Sequence, residues 1–181
     1  MGADYGDIEW VATGERLDSI TFYQRREVGG PIVAHVIPED AMRYAIADPG
    51  VMIASDGVGF VNGRAHPRGA GSFARVLGRY VRDEGALTLM EALRKMTLMP
   101  AQRLEALVPA MRVKGRVSVG ADADLTFFDP ATVMDLATFA EPAQASAGIP
   151  HVMVNGRFVV RDGELVEGVM PGRAIRRRPV S

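Results

Sequence analysis

Apolar and polar positions follow two rhythms along this chain, and the change between them falls near residue 108. In the first part the apolar runs are short and continuous. Ile32-Val33-Ala34-His35-Val36-Ile37 and Val51-Met52-Ile53-Ala54 each read as a buried strand. Between them Pro38-Glu39-Asp40 opens a helix that extends to about Ala47. Proline suits the first turn, and the acids favour the positive end of the helix dipole. Pro49-Gly50 stops it. Strand, helix and strand with short connections form a βαβ unit, which predicts a parallel sheet. Before residue 30 the pattern is weak, apart from a short helix around Asp18 to Arg26 closed by Gly29, Gly30 and Pro31.

After Ser55-Asp56-Gly57 a polar, glycine-rich loop is predicted to reach Gly71. Helices follow. Phe73, Val76, Leu77 and Tyr80 recur at helical spacing over Ser72 to about Asp83. Thr88-Leu89-Met90-Glu91 has the form of a capping box, and Leu89, Leu93 and Met96 then share one face. Met90, Met96 and Met99 read as core filler. Pro100 starts another turn or two that carries Leu104 and Leu107. From Val108 the rhythm is that of short strands bounded by turns, over Gly115 to Gly120 and Ala123 to Pro130. Asn155-Gly156, set between two alternating apolar runs, predicts a hairpin with a type I′ turn, and a second turn is predicted at Asp162-Gly163.

Composition narrows the classes. At 181 residues and 48% apolar, the chain can build a core. A net charge of −1 argues against nucleic acid as a partner, and the arginines at 176, 177 and 178 read as a solvated terminus. Cysteine is absent, which excludes disulfides, thiolate metal sites and a cysteine nucleophile. No run of about 18 apolar residues is present, so no spanning helix is expected. The N-terminus lacks the pattern of a signal peptide. These features predict a cytoplasmic chain with no membrane partner.

Asp56 is the leading candidate for chemistry. It ends an apolar run at the mouth of the glycine-rich loop, where parallel α/β folds place active sites. A carboxylate there can bind a metal or take a proton from metal-bound water, although Ser-Asp-Gly is also ordinary turn chemistry. Arg64, His66 and Arg68 share the loop, and arginine suits bidentate capture of a substrate carboxylate. The competing reading is a solvated loop with chance basic residues. His35 reads as a core histidine with one satisfied nitrogen, and His151 as structural. Three scattered histidines without HxH or HExxH spacing do not make a metal site.

Six segments carry a resemblance: VMIASDG at 51–57, HPRGAGSFARVLGRYVR at 66–82, LTLMEALRKMTLMPAQRL at 87–104, GRVSVGADADLTFFDP at 115–130, GIPHVMVNGRFVVRDGE at 148–164 and PGR at 171–173. In this order they resemble the C-terminal region of D-aminoacylases, the N-acyl-D-amino-acid deacylases of the amidohydrolase superfamily, over about residues 32 to 175. The β-rich segments are shared across the superfamily. The SDG loop with HPRGAGSFARVLGRYVR points to the D-aminoacylase branch.

The resemblance implies an α/β fold class. Residues 1–108 would be the C-terminal fragment of a (β/α)8 metal-dependent hydrolase barrel, and residues 109–181 the C-terminal part of a small β-sandwich domain. It implies a zinc site in the complete enzyme. Asp56 corresponds to the aspartate ending the eighth barrel strand, a metal ligand that takes the proton of the attacking water and hands it to the leaving nitrogen. His66 and Arg68 fall on the family's loop motif as substrate-binding candidates. Carboxylate recognition by Arg68 rests on its chemistry alone. The implied substrate is a small N-acyl amino acid.

The departures are as informative. The family's early HxH ligands, its mid-barrel Cys or carboxylate ligand and its two later histidines have no counterpart here. Only about two of eight barrel strands are accounted for. Glu105 stands where the family continues with glycine, so the helix exit after Leu104 is expected to differ. The isolated chain is therefore expected to be inactive. It reads as a truncated reading frame, a proteolytic remnant or one half of a split enzyme. It is expected to pair with the missing N-terminal barrel portion or to self-associate. The alternatives are a cyclic-amide hydrolase of the dihydroorotase or hydantoinase kind, or a non-catalytic scaffold.

Overall fold

The computed structural model describes residues 4–60 and 62–176, so the arginines at 177 and 178 lie outside the described residues. Its N-terminal sheet is antiparallel throughout. Strands β1 (Ile8–Trp10), β2 (Glu15–Arg16) and β3 (Ile32–Ala34) stand in the order β2-β1-β3, with Glu9 opposite Val33. This corrects the parallel βαβ unit. The apolar run at 32–37 yields only three strand residues, of which Val33 alone is buried, and Ile37 is 66% exposed. Residues 51–54 form no strand. Ile53 instead donates its backbone N–H to the Lys95 carbonyl at 3.1 Å. A short apolar run encodes extended backbone but not the identity of its partner. Here the weakly patterned residues 8–10 supply the edge that β3 takes.

Helix α1 (Ser19–Val28) is fixed by Asp18, whose carboxylate accepts from the N–H groups of Ile20 and Thr21. Helix α2 (Glu39–Ala47) starts behind Pro38 with Glu39 and Asp40 in its first turn, as the dipole argument requires. Helix α3 (Arg68–Arg75) begins four residues earlier than the apolar spacing indicated and continues into a π-helical stretch, Val76–Asp83. The early start has a local cause: His66 Nδ1 accepts from the Arg68 N–H at 3.0 Å, immediately before the first turn. Helix α4 (Leu89–Met96) carries the predicted Thr88–Glu91 capping box. Helix α5 (Leu98–Leu104) ends where Glu105 turns to pair with Arg116. Met96 packs against the core, but Met90 is exposed rather than core filler.

The core lies between these helices and the loop that precedes the hairpin. Ala74, Val76, Leu77 and Tyr80 pack with Ile46, Leu87, Ala92 and Val133. Gly78 allows the closest approach: a Cβ there would stand 2.5 Å from the Val133 carbonyl oxygen. The second sheet has the order β4-β5-β6-β7, antiparallel, from β4 (Leu125–Phe127), β5 (His151–Val154), β6 (Arg157–Arg161) and β7 (Glu164–Leu165). Asn155 and Gly156 have φ of 46° and 74°, and Asp162 and Gly163 have 53° and 84°, so both turns take the left-handed pair of angles a type I′ turn requires. Gly115 to Gly120 is not a strand, and Val117 and Val119 are exposed. The fold is mixed α/β, and no closed barrel forms among the described residues. Among them no helix is long and apolar enough to cross a membrane.

Candidate functional site

The path to the site starts at the end of α2. The chain turns at Asp48-Pro49-Gly50, continues without regular secondary structure through Ile53, and reaches Asp56 with φ of 47°. Aspartate tolerates this left-handed conformation better than bulkier residues. The Gly57 that follows lies against the first turn of α3, where a Cβ on Gly57 would stand 2.9 Å from Gly69 Cα. This apposition brings Arg68 onto Asp56. Arg68 Nη2 is 2.8 Å from Asp56 Oδ2, and Arg68 Nε donates to the Asp56 carbonyl at 2.9 Å. One guanidinium thus holds both the carboxylate and the backbone of the same residue. The Asp56 side chain is 80% exposed and remains open to an incoming group.

His66 joins from the loop side. Its Nδ1 accepts from the Arg68 N–H, its ring stands edge-on to Phe139 at 5.0 Å, and it is half-buried. Burial, then the Arg68 cation, lowers its pKa below the ordinary histidine value. The neutral ring then keeps its proton on Nε2. The His35 ring lies tilted against Phe139, 4.5 Å between centroids, and its Nε2 lies 3.0 Å from Oε2 of the buried Glu9. Asp56, His66 and Arg68 therefore come together, with His35 behind them across one phenylalanine. Phe139 and Glu9 were missed by sequence reasoning, since each lies in a segment without periodicity. Arg64 leans over Gly14. His151 lies elsewhere, in the second sheet: its Nδ1 accepts from the Asp162 N–H at 3.1 Å, and its ring faces Phe127 and Phe158.

A catalytic zinc takes about three protein ligands and a water. Asp56 offers one carboxylate, already paired with Arg68, and His66 has one nitrogen engaged. Among the described residues no three His, Cys, Asp or Glu side chains form a group that could hold a metal ion. The described residues do not by themselves fit a zinc site.

Residues 21–160 match the amidohydrolase family model. The chain is 41% identical over 160 residues to the N-acyl-D-glutamate deacylase of Alcaligenes xylosoxydans xylosoxydans, covering 88% of this chain and 31% of that protein. It is 36% identical over 174 residues to the D-aminoacylase of the same organism, covering 91% and 34%. The crystal structure of D-aminoacylase superposes with a TM-score of 0.76 at 34% identity, over 94% of this chain and 37% of that one. The N-acyl-D-glutamate deacylase from Bordetella bronchiseptica, solved with zinc and a phosphonate mimic of the tetrahedral intermediate, superposes at 0.68 and 34% identity, over 89% and 37%. The chain thus spans about a third of the length of the relatives it matches. With most of its length matched by both sequence and structure, the chain belongs to the amidohydrolase family.

Proposed function

We propose that this chain supplies the general acid/base and a substrate-binding loop to a zinc-dependent hydrolase of carbon–nitrogen amide bonds, one that deacylates N-acyl-D-amino acids. The observation that carries this reading is the convergence of Asp56 and Arg68 at the mouth of α3. In this reading residues 1–108 belong to a barrel and residues 109–181 to a β-rich domain, both completed by polypeptide outside this chain. The exposed Val36, Ile37, Tyr44 and Val58 support that completion, because they form apolar surface without a partner.

The metal, whose remaining ligands this chain does not carry, would supply Lewis-acid activation. Asp56 would accept a proton from the water that adds to the amide carbonyl carbon, and return it to the leaving nitrogen as the C–N bond breaks. For this Arg68 must release the carboxylate. A substrate carboxylate offers its guanidinium an equivalent bidentate partner, so substrate arrival would free Asp56. His66 holds the start of α3 and keeps Arg68 in reach of both.

The test combines this chain with the N-terminal portion of a D-aminoacylase. N-acetyl-D-amino acids, their L-enantiomers and cyclic ureides are then offered. Turnover of the D-acyl substrates is expected, and Asp56→Asn should lower it by about a hundredfold or more while the complex still assembles. Activity indifferent to Asp56→Asn would refute the assignment, as would turnover of cyclic ureides alone.

A further inference from the structure

Lys95 is among the most buried side chains of the molecule, at 1% exposure. Its ammonium donates to the Ile46 carbonyl and, at 2.6 Å, to the Asp48 carbonyl. These bonds go to main chain, not to a carboxylate. An ammonium stripped of water is costly, and a methionine would fill the same space without that cost. What methionine cannot do is donate to two carbonyls at the C-terminal end of α2, where the helix dipole is negative. The segment that follows is held twice more. Arg94 Nη2 donates to the Pro49 carbonyl at 2.9 Å, and the Lys95 main-chain carbonyl accepts from Ile53 N–H at 3.1 Å. Residue 95 therefore grips both ends of the segment that leads to Asp56: the turn at 46–48 through its side chain, and Ile53 through its backbone.

We propose that Lys95 is a positioning residue for Asp56, setting the path of residues 48–56 from the far side of the core. The role rests on the reading of Asp56 as acid/base. The grip itself is independent of the reaction. Burial lowers the Lys95 pKa, and the nearby Asp48 charge opposes that shift.

Amide hydrogen exchange in this chain tests the grip. In Lys95→Met the Val51 and Ile53 amides should exchange roughly tenfold to a hundredfold faster, while those of Ala92 and the β5–β6 hairpin keep their protection. Lys95→Gln, which retains a donor, serves where Lys95→Met does not fold. The chain has no cysteine, so Lys95→Cys can be aminoethylated in the unfolded state and refolded with an ammonium restored at that one position. That protein should regain slow exchange. In the completed enzyme Lys95→Met should lower kcat by about a hundredfold with KM little changed, and aminoethylation should recover it. Uniform loss of protection, unchanged exchange at 51 and 53, or no recovery on aminoethylation would overturn the proposal. A completed wild-type enzyme without activity counts against the proposed function alone, and exchange then decides the role of Lys95.

Discussion

The helical core and the segment carrying Asp56 are built differently. In the core, Tyr80, Ala92 and Val133 are almost wholly buried, and Gly78 touches the neighbouring backbone. In the stretch of chain that leads to Asp56, Ile37 is 66% exposed, Tyr44 is 77% exposed, and the apolar run at 51–54 forms no strand. The core meets its packing needs within the chain, whereas residues 36–44, on the way to the candidate site, leave apolar side chains exposed. Asp56 itself is held by Arg68 of α3, while its side chain stays 80% exposed.

The sharpest way to break this contrast is at Gly78. Gly78→Val should cost about 3 kcal/mol or more of unfolding free energy, measured by urea denaturation, because the Val133 carbonyl leaves no room for a side chain. A milder loss is expected at the cap of α4: Thr88→Ala should cost about 1 kcal/mol. On the open side Ile37→Ser and Tyr44→Ser should each change the stability of the lone chain by less than about 0.5 kcal/mol, yet weaken its association with the N-terminal barrel portion. If these two substitutions destabilise the lone chain as much as Gly78→Val, the contrast fails.

The smallest effect concerns pH. Hydrogen bonds from Arg43 and Arg79 pull the Glu84 carboxyl down to about 2, from an ordinary 4.5. Its folded pKa is depressed, so its contribution to stability is fully present above about pH 4.5 and fades as pH falls toward 2. Glu84→Gln should flatten the stability curve in that window, as read by thermal melts at stepped pH.

What was legible in the sequence follows the same division. The Asn155-Gly156 and Asp162-Gly163 turns and the Thr88–Glu91 box were readable because each is completed within a few residues. The pairing of β3 was not, because an apolar run does not specify which edge it meets. Of the site, Asp56, His66 and Arg68 could be named from the loop. Their contact could not, since it depends on the close approach of Gly57 to Gly69. Phe139 and Lys95 gave no signal: one lies in an irregular segment, and the other looks like a solvated helix lysine.

The most direct measurement is zinc binding by equilibrium dialysis, on this chain alone and on this chain assembled with the N-terminal barrel portion. The account predicts stoichiometric binding only in the assembly, weakened by Asp56→Ala. Tight, stoichiometric zinc on the lone chain, or binding in the assembly that ignores Asp56→Ala, would contradict it.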